Sequence, residues 1–206
     1  INYGADAVYI GADFFGARAN ASNNISDIKK LVEYAHKFYV RVHVTLNTIL
    51  KDNEVSYALK IIEKLYDIGV DAIIVQDMSI LKAAIDGKIP PIQIHMSTQC
   101  DNRTLEKVKF FDNLGVSRVI LARELNLAQI EQICKSTDCQ IETFIHGALC
   151  VSYSGQCYMS YANGGRSANR GMCAQPCRKK YTFVDEDNNI LKEGYLLSLR
   201  DFNASE

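Results

Sequence analysis

Residues 69–75 read Gly69-Val70-Asp71-Ala72-Ile73-Ile74-Val75, and the same logic recurs at Gly4-Ala5-Asp6-Ala7-Val8 and Gly115-Val116-Ser117-Arg118-Val119. In each, a glycine ends a helix in a left-handed cap and a short apolar strand follows at once. The pattern predicts strands over 7–11, 40–46, 72–75, 92–95, 118–121 and 141–145. These runs are short, rich in β-branched residues and nearly continuous in apolar character, as expected for strands covered on both faces of a parallel sheet.

Amphipathic helices fill the intervals. Ile28, Leu31, Val32, Ala35 and Phe38 recur at helical spacing behind a Ser26 cap. Val55, Ala58, Leu59, Ile62 and Leu65 do the same, as do Leu105, Val108, Phe111 and Leu114. Asn126 and Gln129 form the pattern of a capping box opening a helix over 127–134, with Cys134 on its apolar face. Strand, helix, strand in steady alternation implies βαβ units with right-handed crossovers.

Six such strands precede residue 150, and 195–199 is a candidate seventh. The segment before Gly4 reads as the end of a helix without its strand. Supplying that strand gives eight, the number in a closed (β/α)8 barrel of the TIM type. The alternative, an open doubly wound sheet, would put a Gly-rich phosphate turn after the first strand, and none follows. The expected fold is thus α/β, a TIM-type barrel lacking its first strand and last helix. The expected units are the barrel portion over 1–149, a Cys-rich segment over 150–180, and a short β segment with the last barrel strand over 181–206.

The chain has 206 residues, 48% apolar, with 23 basic and 24 acidic side chains. That composition excludes a disordered tail and a globally basic nucleic-acid coat. It offers no run of about 20 uncharged apolar residues, so no membrane helix is expected. No secretion signal is visible at Ile1, and seven cysteines form no obvious disulfide framework. A cytoplasmic, reduced protein is the expectation.

Barrel chemistry sits at the carboxyl ends of the strands. Those ends carry Arg18 and Asn20, then Asn47, then Gln76 with Asp77, then His95, Ser97 and Gln99, then Arg123 and Glu124, then His146, and last Arg200 with Asp201. Arg18, Asn20, Asn47 and Gln99 are candidate substrate contacts. His95, Arg123, Glu124 and His146 are candidate catalytic groups. The bland alternative is that loops are polar anyway. His36 and His43, helical and mid-strand, read as structural.

The strongest signal is chemical. Cys150, Cys157, Cys173 and Cys177 fall within 28 residues, at gaps of six, fifteen and three, among glycines at 147, 155, 164, 165 and 171. Four thiolates brought together are soft ligands for an iron–sulfur cluster or for zinc. Two disulfides are the other alternative. Zinc knuckles usually pair two C-x2-C units, and that pairing is absent. Arg166, Arg170, Arg178, Lys179 and Lys180 lie in the same stretch with no acid between them, interleaved with Tyr153, Tyr158, Tyr161 and Tyr181. Cations neutralise phosphates and aromatic rings stack on bases, so Arg166, Arg170 and Arg178 are candidate RNA contacts. There is no H-E-x-x-H helix and no G-x-S-x-G elbow.

The run Glu142-x-Phe144-x2-Gly147-Ala148-Leu149-Cys150-x4-Gly155-x-Cys157-x-Met159-Ser160 resembles the signature of the collagenase-like peptidase family U-32. The run from Gly165 to Arg178, containing Cys173-Ala174-Gln175-Pro176-Cys177, and the opening Gly4-Ala5-Asp6-Ala7-Val8-Tyr9 resemble it too. The resemblance spans essentially the whole chain, and in the family more sequence lies on both sides. It implies either a peptidase, whose catalytic residues are unassigned, or an enzyme hydroxylating transfer or ribosomal RNA. It also implies a [4Fe-4S] cluster on Cys150, Cys157, Cys173 and Cys177, with prephenate as a co-substrate in the transfer-RNA branch. A third reading is a zinc- or cluster-stabilised binding module without catalysis.

Overall fold

The computed structural model describes residues 1–17 and 22–204; Arg18 and Asn20 lie outside the described residues. In chain order the elements are β1 (Ala7–Ala12), β2 (Ser22–Asn23), α1 (Ile25–His36), β3 (Arg41–Leu46), α2 (Asp52–Asp67), β4 (Ala72–Val75), α3 (Met78–Ile85), β5 (Gln93–Met96), α4 (Leu105–Asn113), β6 (Arg118–Ile120), α5 (Leu127–Ser136) and β7 (Gln140–Glu142). Beyond them come β8 (His146–Gly147), α6 (Met159–Gly164), β9 (Tyr181–Val184), β10 (Ile190–Gly194) and β11 (Phe202–Asn203).

β1 to β7 make one sheet in the order β2-β1-β3-β4-β5-β6-β7, and every pairing in it is parallel. Apart from the two-residue β2, which edges β1, each strand lies beside the next. No reversal of strand order occurs, so the doubly wound alternative is excluded. The crossovers between successive parallel strands step in a single direction across the sheet, and with the usual right hand such steps bring the helices to one face. On that face Val42, Val44, Leu46, Ile73 and Val75 pack with Ile28, Val32, Ala35, Ile62 and Leu65, all at most 3% exposed. Each of the Val, Leu and Ile side chains among them contributes roughly 1.5–3 kcal/mol by leaving water. β4 is covered on both faces throughout.

The glycine caps are as expected: Gly4, Gly69 and Gly115 have φ of 86°, 85° and 78°. The Asp of the repeat has its own task. Asp71 accepts from the Val42 N–H at 2.7 Å and bonds His36 Nε2 at 2.9 Å, tying β3 to the end of α1. The Asn126–Gln129 capping box on α5 is present in both directions.

Three expectations need correction. α1 is capped by Asn24, whose Oδ1 accepts from Asp27 N, because Ser26 already lies inside the helix. Residues 195–199 form a turn, closed by Ser198 N to Tyr195 O, rather than a barrel strand. Near them β11 pairs antiparallel with β8, and β9 with β10 forms a separate hairpin. Cys134 is exposed, since its neighbour Ile133 takes the buried position on α5. α3, capped by Asp77 on Ser79 N, was not foreseen. Among the described residues the sheet ends at β2 and at β7, without closure into a full barrel. No helix is long and apolar enough to cross a membrane.

Candidate functional site

The Cys-rich segment folds over the carboxyl ends of the strands, and specific contacts hold it there. Gly155, at φ 75°, lies so close to the Gln99 carbonyl that a Cβ would come within 1.9 Å of its oxygen. Ser154 N donates to Glu124 Oε1 at 2.8 Å, and the Ser154 and Thr98 hydroxyls are 3.3 Å apart. Arg170 makes a forked pair with Glu54 at 2.7 and 2.9 Å and donates to Ile49 O at 2.8 Å. Arg178 donates to Leu149 O, Ser198 Oγ and Leu199 O, clamping the start of the segment to the turn after β10.

Between segment and sheet lie two adjoining chambers. The outer one, about 510 Å³, is lined by Cys150, Cys173 and Cys177 together with Arg166, Arg178 and Met172. The inner one, about 410 Å³, opens on Tyr9, Thr45, Asn47, Ser97 and Phe144. Ala17, Gln99 and Arg123 line both and form the wall between them. Arg123 is fixed there by stacking on the Phe144 ring, 4.6 Å from its centroid, and by a bond to Ala148 O at 3.2 Å. A relay orders the inner rim: Ala17 N donates to Asn47 Oδ1, Asn47 Nδ2 donates to Ser97 Oγ, and Gln99 N donates to the same Ser97 Oγ.

The expected residues therefore divide. Asn47, Gln99, Arg123, Arg166 and Arg178 border the chambers. Arg170 does not offer free charge to a ligand, and Glu124 lines neither chamber. Arg170 is bound to Glu54, holding that carboxyl at about 2, and Glu124 receives the Ser154 amide. Arg178 borders the outer chamber but is engaged through both terminal nitrogens. His146 is exposed on β8 and borders neither chamber.

His95 is not at the strand end. It lies within β5, 1% exposed, with its ring edge-on to His43 at 4.7 Å. Neither ring's nitrogens have a hydrogen-bond partner among the described residues. Burial, with the nearby Arg118 adding to it, lowers His43 to about 4. Burial, reinforced by His43, lowers His95 to about 3. Both are neutral imidazoles near neutral pH.

The same face of the sheet carries a pair the sequence reading missed. Arg118 bonds Glu142 Oε2 at 2.8 Å and Gln140 Oε1 at 2.6 Å. Arg118 of β6 stands opposite Gln140 of β7, and Glu142 follows two residues along on the same face, so the ion pair is a diagonal one; a cation on one strand with a carboxylate at this offset on the next is the signal that could have disclosed it.

The four cysteines are free thiols, so the disulfide alternative falls. Burial raises Cys177, with the charges of Cys150, Cys173 and Cys157 acting the same way and Arg178 opposing. The sulfurs of Cys150, Cys157 and Cys173 thus each lie within electrostatic reach of Cys177. Among the described residues no three His, Cys, Asp or Glu side chains are already drawn into metal-binding geometry. The donor chemistry fits a soft metal centre; binding one would require the thiols to close inward. Cys100, pushed up to about 12 by burial, points at the Val75 and Gln76 carbonyls and is a packing residue.

The model of peptidase family U32 matches residues 1–206. The chain is 56% identical over 202 residues, 98% of its length, to a 23S rRNA 5-hydroxycytidine synthase of Escherichia coli, of which that covers 30%. It is 37% identical to tRNA hydroxylation protein P1 of Bacillus subtilis (91% of this chain, 44% of that protein). It is 33% identical to a collagenase of Porphyromonas gingivalis (99% and 52%). The chain thus spans about half or less of these relatives. A U32 peptidase of solved structure superposes with a TM-score of 0.57 at 15% identity, covering 69% of this chain and 62% of that one, which shows a shared fold.

Proposed function

The chain belongs to peptidase family U32, and on that footing we propose that it forms the strand-and-cysteine portion of an enzyme that hydroxylates a nucleobase in RNA. The observation that carries this reading is the 56% identity, across 98% of the chain, with a protein named for 5-hydroxycytidine synthesis in ribosomal RNA. The collagenase relative stands at 33%. The two-chamber site is consistent with RNA chemistry: the inner chamber offers rings and neutral polar groups, and its rim carries cations.

We read the sheet as six strands of a (β/α)8 barrel. Its sequential parallel order and one-directional crossovers support that reading, and they put the chambers at the carboxyl-end face where barrel enzymes work. Cys150, Cys157, Cys173 and Cys177 would hold a [4Fe-4S] cluster, or else zinc. A bound cluster would supply one-electron transfer beside the substrate.

The chain's own residues do the rest. Arg166 and the exposed Lys179 and Lys180 neutralise phosphates at the outer rim. Arg123, held on Phe144, is a fixed cation between the chambers. It suits the carboxylate of a small organic co-substrate, for which prephenate is the example the family offers. Asn47 and Ser97 order the inner rim. Such chemistry belongs in the cytoplasm, where ribosomal and transfer RNA are found.

The test is nucleoside mass spectrometry of RNA from cells with the gene deleted, restored by the intact protein or by its Cys173→Ser variant. One nucleoside lighter by one oxygen, regained only with the intact protein, is the expected result. Unaltered RNA together with peptide cleavage that survives loss of the cysteines would replace this reading with that of a peptidase.

A further inference from the structure

Among the groups lining the inner chamber, two keep hydrogen-bonding capacity that the protein does not use. Ser97 is 1% exposed, and its oxygen already accepts from Asn47 Nδ2 at 3.2 Å and from Gln99 N at 3.1 Å. Both of its acceptor directions are filled, so the hydroxyl proton remains to be donated. No acceptor for it occurs among the described residues. Gln99 spends its backbone on Ser97 and on Gln76 Nε2, while its side-chain amide makes no bond among the described residues. That amide lies in the wall shared by the two chambers.

We infer that Ser97 and Gln99 read the hydrogen-bonding edge of an extruded pyrimidine in the inner chamber. This rests on the RNA reading proposed above and names its base subsite. The edge of a pyrimidine offers three groups in a row. In cytosine they are acceptor, acceptor and donor, and in uracil acceptor, donor and acceptor. The Ser97 proton meets the first acceptor, which both bases share. The Gln99 amide supplies one donor and one acceptor for the other two, and its two orientations suit the two bases in turn. An enzyme acting on a base takes it out of the stack and holds it by edge contacts and by neighbouring rings. Tyr9 and Phe144 line the same chamber and supply those rings. A chamber of about 410 Å³ is in the range of small-ligand pockets, roughly 300–1,000 Å³.

Why Gln99 occupies this place is also visible. The Gly155 backbone rests on its carbonyl, so the lid that covers the chamber and the residue that reads the base are positioned by one contact.

The experiment compares binding of the intact protein to two short RNAs, one with cytosine at the target position and one abasic there. The wild type is expected to prefer the first about ten- to a hundredfold, and Gln99→Leu to bind both like the abasic RNA, a loss typical of one paired edge contact. Circular dichroism confirms that the variant is folded, and Gln99→Asn tests whether a shorter amide restores part of the preference. If wild-type protein hydroxylates RNA in cells yet shows no preference, or Gln99→Leu keeps it, the subsite is wrong while the RNA reading stands. If wild-type protein leaves cellular RNA unchanged, the RNA reading itself fails.

Discussion

The α-carbon of Gly155 sits against the Gln99 carbonyl, leaving no room for a Cβ, which would lie 1.9 Å from the oxygen and 2.8 Å from the carbonyl carbon. Both obstacles are backbone, so neither can rotate away. Gly155→Ala must therefore lift the cysteine segment off the turn after β5 or distort that turn. Gly115 makes the control: its φ is equally left-handed, at 78°, but nothing lies within 4 Å of an added Cβ. Gly115→Ala should cost about 1 kcal/mol from backbone strain alone. Gly155→Ala should cost clearly more and should expose the outer chamber to thiol reagents. Chemical denaturation and cysteine-labelling rates check both points.

Arg170 and Glu54 are 116 residues apart in sequence and joined by a forked ion pair at the start of α2. The pair lowers Glu54 from its ordinary 4.5 to about 2, chiefly through the side-chain bond to Arg170 and then the Lys51 amide. A depressed carboxylate pKa gives stability that is fully present above 4.5 and is lost as pH falls towards 2. Because the pair is partly exposed and screened, its contribution is on the order of 1 kcal/mol. Arg170→Ala should lower stability by that amount at pH 7 and flatten the acid limb between pH about 4.5 and about 2. Urea titrations at several pH values measure it.

These two contacts show what the sequence could and could not disclose. The strands were legible because β-branched runs directly follow glycines at Gly69 and Gly115, and local rules govern such junctions. The capping box at Asn126 was legible for the same reason. The run at 195–199 misled, because an apolar run shows no partner by itself and this one found none in the parallel sheet. The four cysteines were legible as a set from spacing. The task of Arg170 was not, because its partner lies on a distant helix; nor was the His43–His95 contact, which exists only through the register of β3, β4 and β5.

The buried histidine pair predicts a second acid transition at higher pH. In the fold His43 and His95 stay neutral down to about 4 and about 3, whereas in the unfolded chain they take up protons near 6.5. A lowered histidine pKa gives stability that is complete above 6.5 and declines as pH falls towards the folded values. Two such groups should steepen the loss to about 2.7 kcal/mol per pH unit once pH is well below 6.5. His43→Phe keeps a ring against His95 and removes two unpartnered nitrogens. It should hold or raise stability at pH 7 and roughly halve the slope near pH 5. Denaturation free energies at the two pH values decide.

The proposed cluster predicts colour. Intact protein purified without oxygen should be brown and carry iron and sulfide, and serine at any one of Cys150, Cys157, Cys173 or Cys177 should abolish or weaken that. Cys134, exposed on α5, is the control whose serine variant keeps full colour. Colourless protein with one zinc per chain would select the zinc alternative instead.

The basic stretch should divide into clamps and contacts when RNA binding is measured against salt. Each phosphate contact adds about 0.7 to 0.9 to the slope of log affinity on log salt. Lys179 and Lys180 are exposed, Lys180 with its ammonium 5.7 Å above the Tyr195 ring, and neither side chain makes a hydrogen bond or ion pair among the described residues, so alanine at either should reduce the slope by about that amount and change the melting temperature little. Arg178 is different: its guanidinium joins Leu149 to Ser198 and Leu199. Removing it strands two carbonyls near the outer chamber, so Arg178→Ala should lower the melting temperature and leave the slope of the folded protein nearly as it was. A slope change at Arg178 equal to that at the lysines would show that its guanidinium leaves these carbonyls when RNA arrives, and would return it to the RNA surface.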